Sequence, residues 1–196
     1  MVDVGDAAGG GGGALVDSSQ GYYVLNPGGD LDKTQRTFAS TFARPPWEGV
    51  SGTPGPTAAA LAGALARKQL YVYCGHGDGG RYLPSEQLQR LPRCAATFLM
   101  GCSSGALRSH GGLGPSGMAL AYLHASCPAL VANLWDVTDG ESDRFCTALL
   151  KHTVDEGGGL LDAVVKARAA CRLRFLTGAA AVTYGVPLAF APRAPE

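Results

Sequence analysis

Leu70-Tyr71-Val72-Tyr73-Cys74 runs directly into Gly75-His76-Gly77-Asp78-Gly79-Gly80, and Ala96-Thr97-Phe98-Leu99-Met100 runs into Gly101-Cys102-Ser103-Ser104-Gly105. Each is a short, mostly apolar run stopped by glycine, the pattern of a strand buried on both faces. A third such run, Ala129 to Leu134, ends in Trp135-Asp136-Val137-Thr138-Asp139. Helical patterns lie between and after them: Pro115 to Ala125, Ser142 to Thr153, and Leu160 to Leu173 with Leu160, Leu161, Val164, Val165 and Cys171 at helical spacing. Strands alternating with helices predict an α/β fold, a mostly parallel sheet with helices on both faces. Right-handed crossovers bring the strand ends to one edge, where open α/β sheets bind ligands. The loops around His76, Cys102 and Trp135 to Asp143 therefore converge.

Upstream, Tyr22-Tyr23-Val24-Leu25 reads as a strand stopped by Asn26-Pro27-Gly28-Gly29. Asp32 to Ala43 reads as a short helix, Arg44 to Pro56 as a loop carrying Trp47, and Ala58 to Lys68 as a helix capped by Thr57. Pro84 to Leu91 is a short helix or turn. Ala180 to Phe190 is a last apolar strip fit for an edge strand, with Pro187 limiting its pairing. Residues 1–20 contain the run Gly9 to Gly13 and little that packs, so they are expected to form a disordered leader ahead of one domain over 21–191, with a short tail at 192–196.

The composition excludes several classes. At 196 residues with 46% apolar content the chain can build a real core. Sixteen basic side chains balance sixteen acidic ones, so the electrostatic footprint of a nucleic-acid binder is absent. No apolar run reaches the roughly 20 residues of a membrane span. Met1 to Leu15 has neither the basic nor the apolar region of a secretory signal. The six cysteines then read as reduced thiols of cytosol or nucleus, and none forms the C-x-x-C of a structural zinc site. Cys74, Cys94, Cys127, Cys146 and Cys171 are assigned to packing. His110 and His124 have no evident partner, and Cys74 with His76 is only a faint metal signal. Neither a metal nor a cofactor is expected.

Gly75 to Gly80 matches G-x-G-x-x-G, but Arg81-Tyr82-Leu83-Pro84 cannot open the helix of a dinucleotide site, and the next strand ends in Gly101-Cys102 instead of an acid. Nucleotide binding is rejected. What remains is a histidine between glycines at a strand end. The Gly101 to Gly105 loop carries two nucleophile readings. As G-x-S-x-G it presents Ser103, with Asp136 and His152 completing the chain order of an elbow hydrolase. Alternatively Cys102 is the nucleophile and His76 its base, both leaving the ends of neighbouring strands. The backbone N–H groups of Gly77 and Cys102 then serve as oxyanion donors. A third reading is a non-catalytic module of this fold that only binds partners.

Asp136, Asp139, Glu141 and Asp143 follow the third strand. Acids there suit a helix N-terminus, with Thr138 or Asp139 as cap. Facing a nucleophile, they also suit a pocket for a basic side chain, since guanidinium pairs with carboxylate. Trp135 either walls such a pocket or belongs to the core.

Several stretches together resemble the protease domain of separases, caspase-like cysteine proteases that cleave cohesin. They are Tyr23-Val24-Leu25-Asn26-Pro27 with Asp30-Leu31, Gly75-His76-Gly77, Leu99-Met100-Gly101-Cys102-Ser103-Ser104-Gly105, Cys127-Pro128-Ala129, Leu134-Trp135-Asp136-Val137-Thr138-Asp139 with Asp143-Arg144-Phe145, and Gly178-Ala179-Ala180 with Tyr184-Gly185-Val186-Pro187. The resemblance implies a caspase-like three-layer sandwich and a His76–Cys102 dyad. It implies cleavage after arginine in the kleisin subunit of cohesin, with Asp143 first, then Asp136 and Asp139, as the acids that bind the P1 arginine. It implies a securin-like inhibitor, the N-terminal regions of a longer separase chain as further partners, a nuclear and cytoplasmic location, and no cofactor.

Overall fold

The computed structural model describes residues 14–109 and 111–192. In chain order the elements are β1 (Ala14–Asp17), β2 (Gly21–Leu25), α1 (Asp32–Phe42), β3 (Glu48–Ser51), α2 (Ala58–Arg67), β4 (Leu70–Cys74), α3 (Ser85–Leu88), β5 (Ala96–Leu99), β6 (Arg108–Ser109), β7 (Pro115–Ser116), α4 (Met118–His124), β8 (Ala129–Asn133), α5 (Asp139–Leu150), β9 (Gly158–Gly159), α6 (Leu160–Ala170), α7 (Thr177–Ala180), β10 (Ala181–Gly185) and β11 (Leu188–Ala191).

Six strands form the main sheet in the order β10-β8-β5-β4-β2-β3. All neighbours pair in parallel except β10, which runs antiparallel to β8 at one edge. Alternation along β4 sorts its side chains onto two cores: Leu70, Val72 and Cys74 join Phe38, Phe98, Phe145 and Leu149, while Tyr71 and Tyr73 join Leu61, Leu65, Leu88 and Tyr122. Helices α1, α5 and α6 therefore cover one face and α2 and α4 the other. This is the three-layer α/β sandwich expected from the strand pattern.

Five expectations need correction. Residues 14–20 are not part of a disordered leader: β1 pairs in parallel with β11, and the Ser18 hydroxyl donates to the Ala191 carbonyl at 2.8 Å. Val16 supplies the burial that this short strand needs, at 5% exposure. Residues 1–13 of the expected leader, His110, and residues 193–196 of the expected tail lie outside the described residues. The 44–56 segment is not all loop, since it contains β3, paired with β2. The strip 180–190 is two strands in two sheets, broken where Gly185 (φ 110°) leads into Val186-Pro187. Finally, α5 begins at Asp139 rather than Ser142, and the 115–125 helix shortens to Met118–His124.

Trp47 rests on the fold. Its ring stacks on Phe42 with centroids 5.6 Å apart, and its Nε1–H donates to the Ser18 carbonyl at 2.8 Å. Gly21 leaves room for it, because a Cβ there would lie 2.2 Å from the indole. Trp47→Ala is expected to cost about 2–3 kcal/mol, less than a fully buried tryptophan, read as a lower urea midpoint at unchanged m-value.

Candidate active site

Strands β2, β4, β5 and β8 are parallel neighbours, so the loops after Leu25, Cys74, Leu99 and Asn133 emerge along one edge. The His76 loop is held from beneath by Tyr73, whose hydroxyl donates to the His76 carbonyl at 2.7 Å. Gly77 takes φ 62°, a conformation that costs glycine little, and turns the chain away directly after the histidine.

The Cys102 loop presses against the His76 loop at Gly101. A Cβ on Gly101 would lie 2.0 Å from the Gly77 carbonyl oxygen and 2.6 Å from that of Gly75, so only glycine permits this approach. The β8 end fixes the other side. The Asn133 amide donates to the Gly101 carbonyl at 3.2 Å, and the Ser103 N–H donates to the Trp135 carbonyl at 3.2 Å. Ser104 is buried, accepting from the Asn133 N–H and donating to the Leu99 carbonyl. Cys102 alone of the six cysteines is only half-buried. Its thiol donates to the Val137 carbonyl at 3.1 Å and accepts the Val137 N–H at 3.4 Å.

His76, Cys102, Thr34, Phe38, Asp139 and Asp143 all border one cleft of about 360 Å³, part of it open to solvent. The backbone N–H groups of Gly77 and Cys102 donate no hydrogen bond among the described residues. Cys102 borders the cleft and Gly77 follows the bordering His76; backbone amide donors are the kind of group that stabilises a carbonyl oxyanion.

The four acids separate by role. Asp143 lines the cleft at 8% exposure and accepts from the Thr34 hydroxyl at 3.2 Å. Burial pushes its carboxyl up from the ordinary range, the Thr34 hydrogen bond opposes this, and the Asp139 charge adds to the rise. Asp139 lines the same cleft. Asp136 does not: its carboxylate accepts from the Ser103 hydroxyl at 2.6 Å, outside the cleft. Glu141 is held low by the Leu173 N–H, then by Arg144, and so braces the segment after α6. Thr138 occupies the N-cap position of α5 without a side-chain cap bond.

The serine arrangement is not assembled. Ser103 meets Asp136, but His152 follows the twelve residues of α5, about 18 Å from the edge where that helix begins, and its ring bonds Glu156 at 2.6 Å. Trp135 does not border this cleft: it is 40% exposed and donates to the Leu176 carbonyl. Residue-by-residue reading missed Thr34, Asn133 and Asp30. Asp30 Oδ2 lies 3.0 Å from His76 Nε2. Its signal was present, since Asp30 follows the turn that ends a strand adjacent to β4.

A sequence profile described as "Separin, protease domain" matches residues 11–141. The chain belongs to the separin protease-domain family. Curated separins agree: one from Emericella nidulans is 43% identical over 89% of this chain, and one from Mus musculus 42% identical over 88%. A crystal structure of the Saccharomyces cerevisiae separase–securin complex matches 90% of the chain with a TM-score of 0.82 and 36% identity. The complex of Porphyromonas gingivalis RgpB pro- and mature domains matches with a TM-score of 0.55 at 13% identity, a likeness of fold alone. The chain covers only 9% and 8% of the length of the two curated separins. It is a separase-type protease domain with a caspase-like α/β fold. The matched stretch takes in the His76 and Cys102 loops and stops two residues before Asp143.

Proposed function

We propose that this chain is a cysteine endopeptidase that cleaves the kleisin subunit of cohesin after arginine, releasing sister chromatids at anaphase. The observation that carries this reading is that Cys102, His76 and the buried Asp143 border one and the same cleft. The P1 guanidinium pairs with Asp143, with Asp139 at the rim, which returns to a buried carboxylate the stabilisation it lost with water. Asp136 is left out of this role, since it is engaged by Ser103.

In the reaction the thiol leaves its Val137 contacts and passes its proton to His76. The thiolate then attacks the scissile carbonyl carbon. The Gly77 and Cys102 amides receive the oxyanion. The imidazolium protonates the leaving amine, and a water deprotonated by the same ring hydrolyses the thioester. A securin-like inhibitor is expected to occupy this cleft, and the N-terminal regions of a longer separase chain to support it. The expected setting is nucleus and cytoplasm.

The test is labelling with a peptide acyloxymethyl ketone ending in arginine, with the adduct mapped by mass spectrometry. Labelling at Cys102 that requires His76 and survives Ser103→Ala supports the reading. Labelling at Ser103, or none in a folded sample, overturns it in favour of a serine hydrolase or a binding module respectively. The module has one observation on its side, that the resting thiol bonds Val137 rather than the imidazole.

A further inference from the structure

We propose that Asp30 is a positioning residue for His76, an inference that rests on the cysteine-protease reading above. Its carboxylate accepts the Nε2–H and so fixes both the ring and the site of its proton. Nδ1 is left as the nitrogen that exchanges a proton with the cleft. The base of a nucleophile–base pair is commonly oriented by a third group, and no other side chain among the described residues hydrogen-bonds this ring.

The placement of Asp30 is built. It stands just after the end of β2, which pairs in parallel with β4, so its loop and the His76 loop leave the sheet side by side. Asn26 ties the Asp30 loop down at both ends. Its N–H donates to the Cys74 carbonyl at 2.7 Å, while its side-chain oxygen accepts the N–H groups of Gly29 at 3.1 Å and Leu31 at 2.9 Å. The Asn26 amide donates in turn to Gln35 of α1 at 2.8 Å. Asn26 is 1% exposed and holds φ 48°, an unusual state for a non-glycine residue that these four bonds sustain. Pro27 packs beside Gly75, with its Cδ 3.1 Å from the position of a Cβ there. The loop that carries Asp30 is thus rigid and pressed against the turn that carries His76.

The contact does not serve stability. Both side chains are more than half exposed, at 61% for His76 and 63% for Asp30, and exposed ion pairs contribute little to folding. The His76 loop is held instead by the Tyr73 hydroxyl, so removal of the carboxylate leaves the backbone in place and frees only the ring. When the thiol proton arrives, the carboxylate faces an imidazolium of opposite charge across the 3.0 Å contact.

The experiment pairs two readouts on wild type, Asp30→Ala, Asp30→Asn and Asp30→Glu. The first is the second-order rate of Cys102 labelling by the arginyl acyloxymethyl ketone, in which the thiolate displaces the carboxylate leaving group. The second is the histidine ring ¹⁵N spectrum, with the His76 signals assigned by their loss in His76→Gln. In the wild type a hydrogen-bonded Nε2–H is expected at His76, and Asp30→Ala is expected to abolish it. Labelling by Asp30→Ala should fall about tenfold, by Asp30→Asn less, and Asp30→Glu should recover most of the rate. Equal labelling of wild type and Asp30→Ala overturns the role of Asp30 alone. So does a His76 ring spectrum that is unchanged by Asp30→Ala. A wild type that shows the Nε2–H signal but no labelling overturns the protease reading, and with it any reaction for Asp30 to serve.

Discussion

Gly101→Ala is expected to destroy the site and to destabilise the chain by about 3–5 kcal/mol, whereas Gly77→Ala, on the loop that Gly101 presses against, is expected to cost about 1 kcal/mol. The two glycines are needed for different reasons. Gly101 lies outside the left-handed region, so its requirement is steric. The added methyl meets the carbonyl oxygens of Gly77 and Gly75 and the Gly77 nitrogen, at 2.0, 2.6 and 2.8 Å. All three are backbone atoms, and no rotamer change relieves them. The His76 loop must move off the Cys102 loop, which separates base from nucleophile and displaces the Gly77 amide. Gly77 has the opposite problem. Its φ is 62°, but a Cβ there meets nothing within 4 Å. The strain is conformational, confined to one residue, and bearable. Urea unfolding and arginyl-ketone labelling of the two variants check this. Gly101→Ala should lose both midpoint and labelling, and Gly77→Ala should keep most of each. Equal penalties would mean that the loops are not in contact as described.

That contact explains which parts of this protein were legible in its sequence. Buried strands announce themselves by composition: Leu70 to Cys74 and Ala96 to Leu99 are apolar but for Thr97, whose hydroxyl donates to the Ala95 carbonyl, and are buried throughout. Once the strands are parallel, the positions of His76 and Cys102 at neighbouring ends follow from topology, without any knowledge of side-chain geometry. The acidic cluster was legible only as a group. Asp136, Asp139, Glu141 and Asp143 look alike in sequence, and they separate only through what faces them. Ser103 takes Asp136, Leu173 N–H takes Glu141, and Thr34, more than a hundred residues earlier, faces Asp143. Long-range partners of this kind leave no local signature. The same holds for β1, which is too short and too glycine-flanked to declare itself, and exists because β11 returns beside it. Asp30 is intermediate: its place at a strand end was readable, and its hydrogen bond to His76 was not.

Asp143→Asn is expected to lower kcat/KM for arginine-P1 peptides about 10²–10³-fold, as for truncation of one partner in a buried charge pair, and at the same time to stabilise the free protein at neutral pH. The second effect follows from the direction in which burial has moved this carboxyl. A group whose folded-state pKa lies above its unfolded value favours the native state most when protonated. That stability is fully present below the unfolded pKa and is lost as pH rises through the folded one. At pH 7 the native protein therefore carries an unfavourable buried charge, which Asn lacks while still able to meet the Thr34 hydroxyl. A gain of about 0.5–1 kcal/mol is expected, read as a higher urea midpoint. The pH profile carries the same signature. Arginine binding needs the carboxylate, so kcat/KM of the wild type should fall on the acid side through a pKa above the usual carboxylate range. In Asp143→Asn that step should be missing from the residual activity. Asp136→Asn, at a carboxylate that accepts from Ser103 and does not border the cleft, should change neither the arginine preference nor the acid limb. If it did so while Asp143→Asn kept its rate, the P1 pocket would lie on the other side of the Cys102 loop, and the buried carboxylate would be structural.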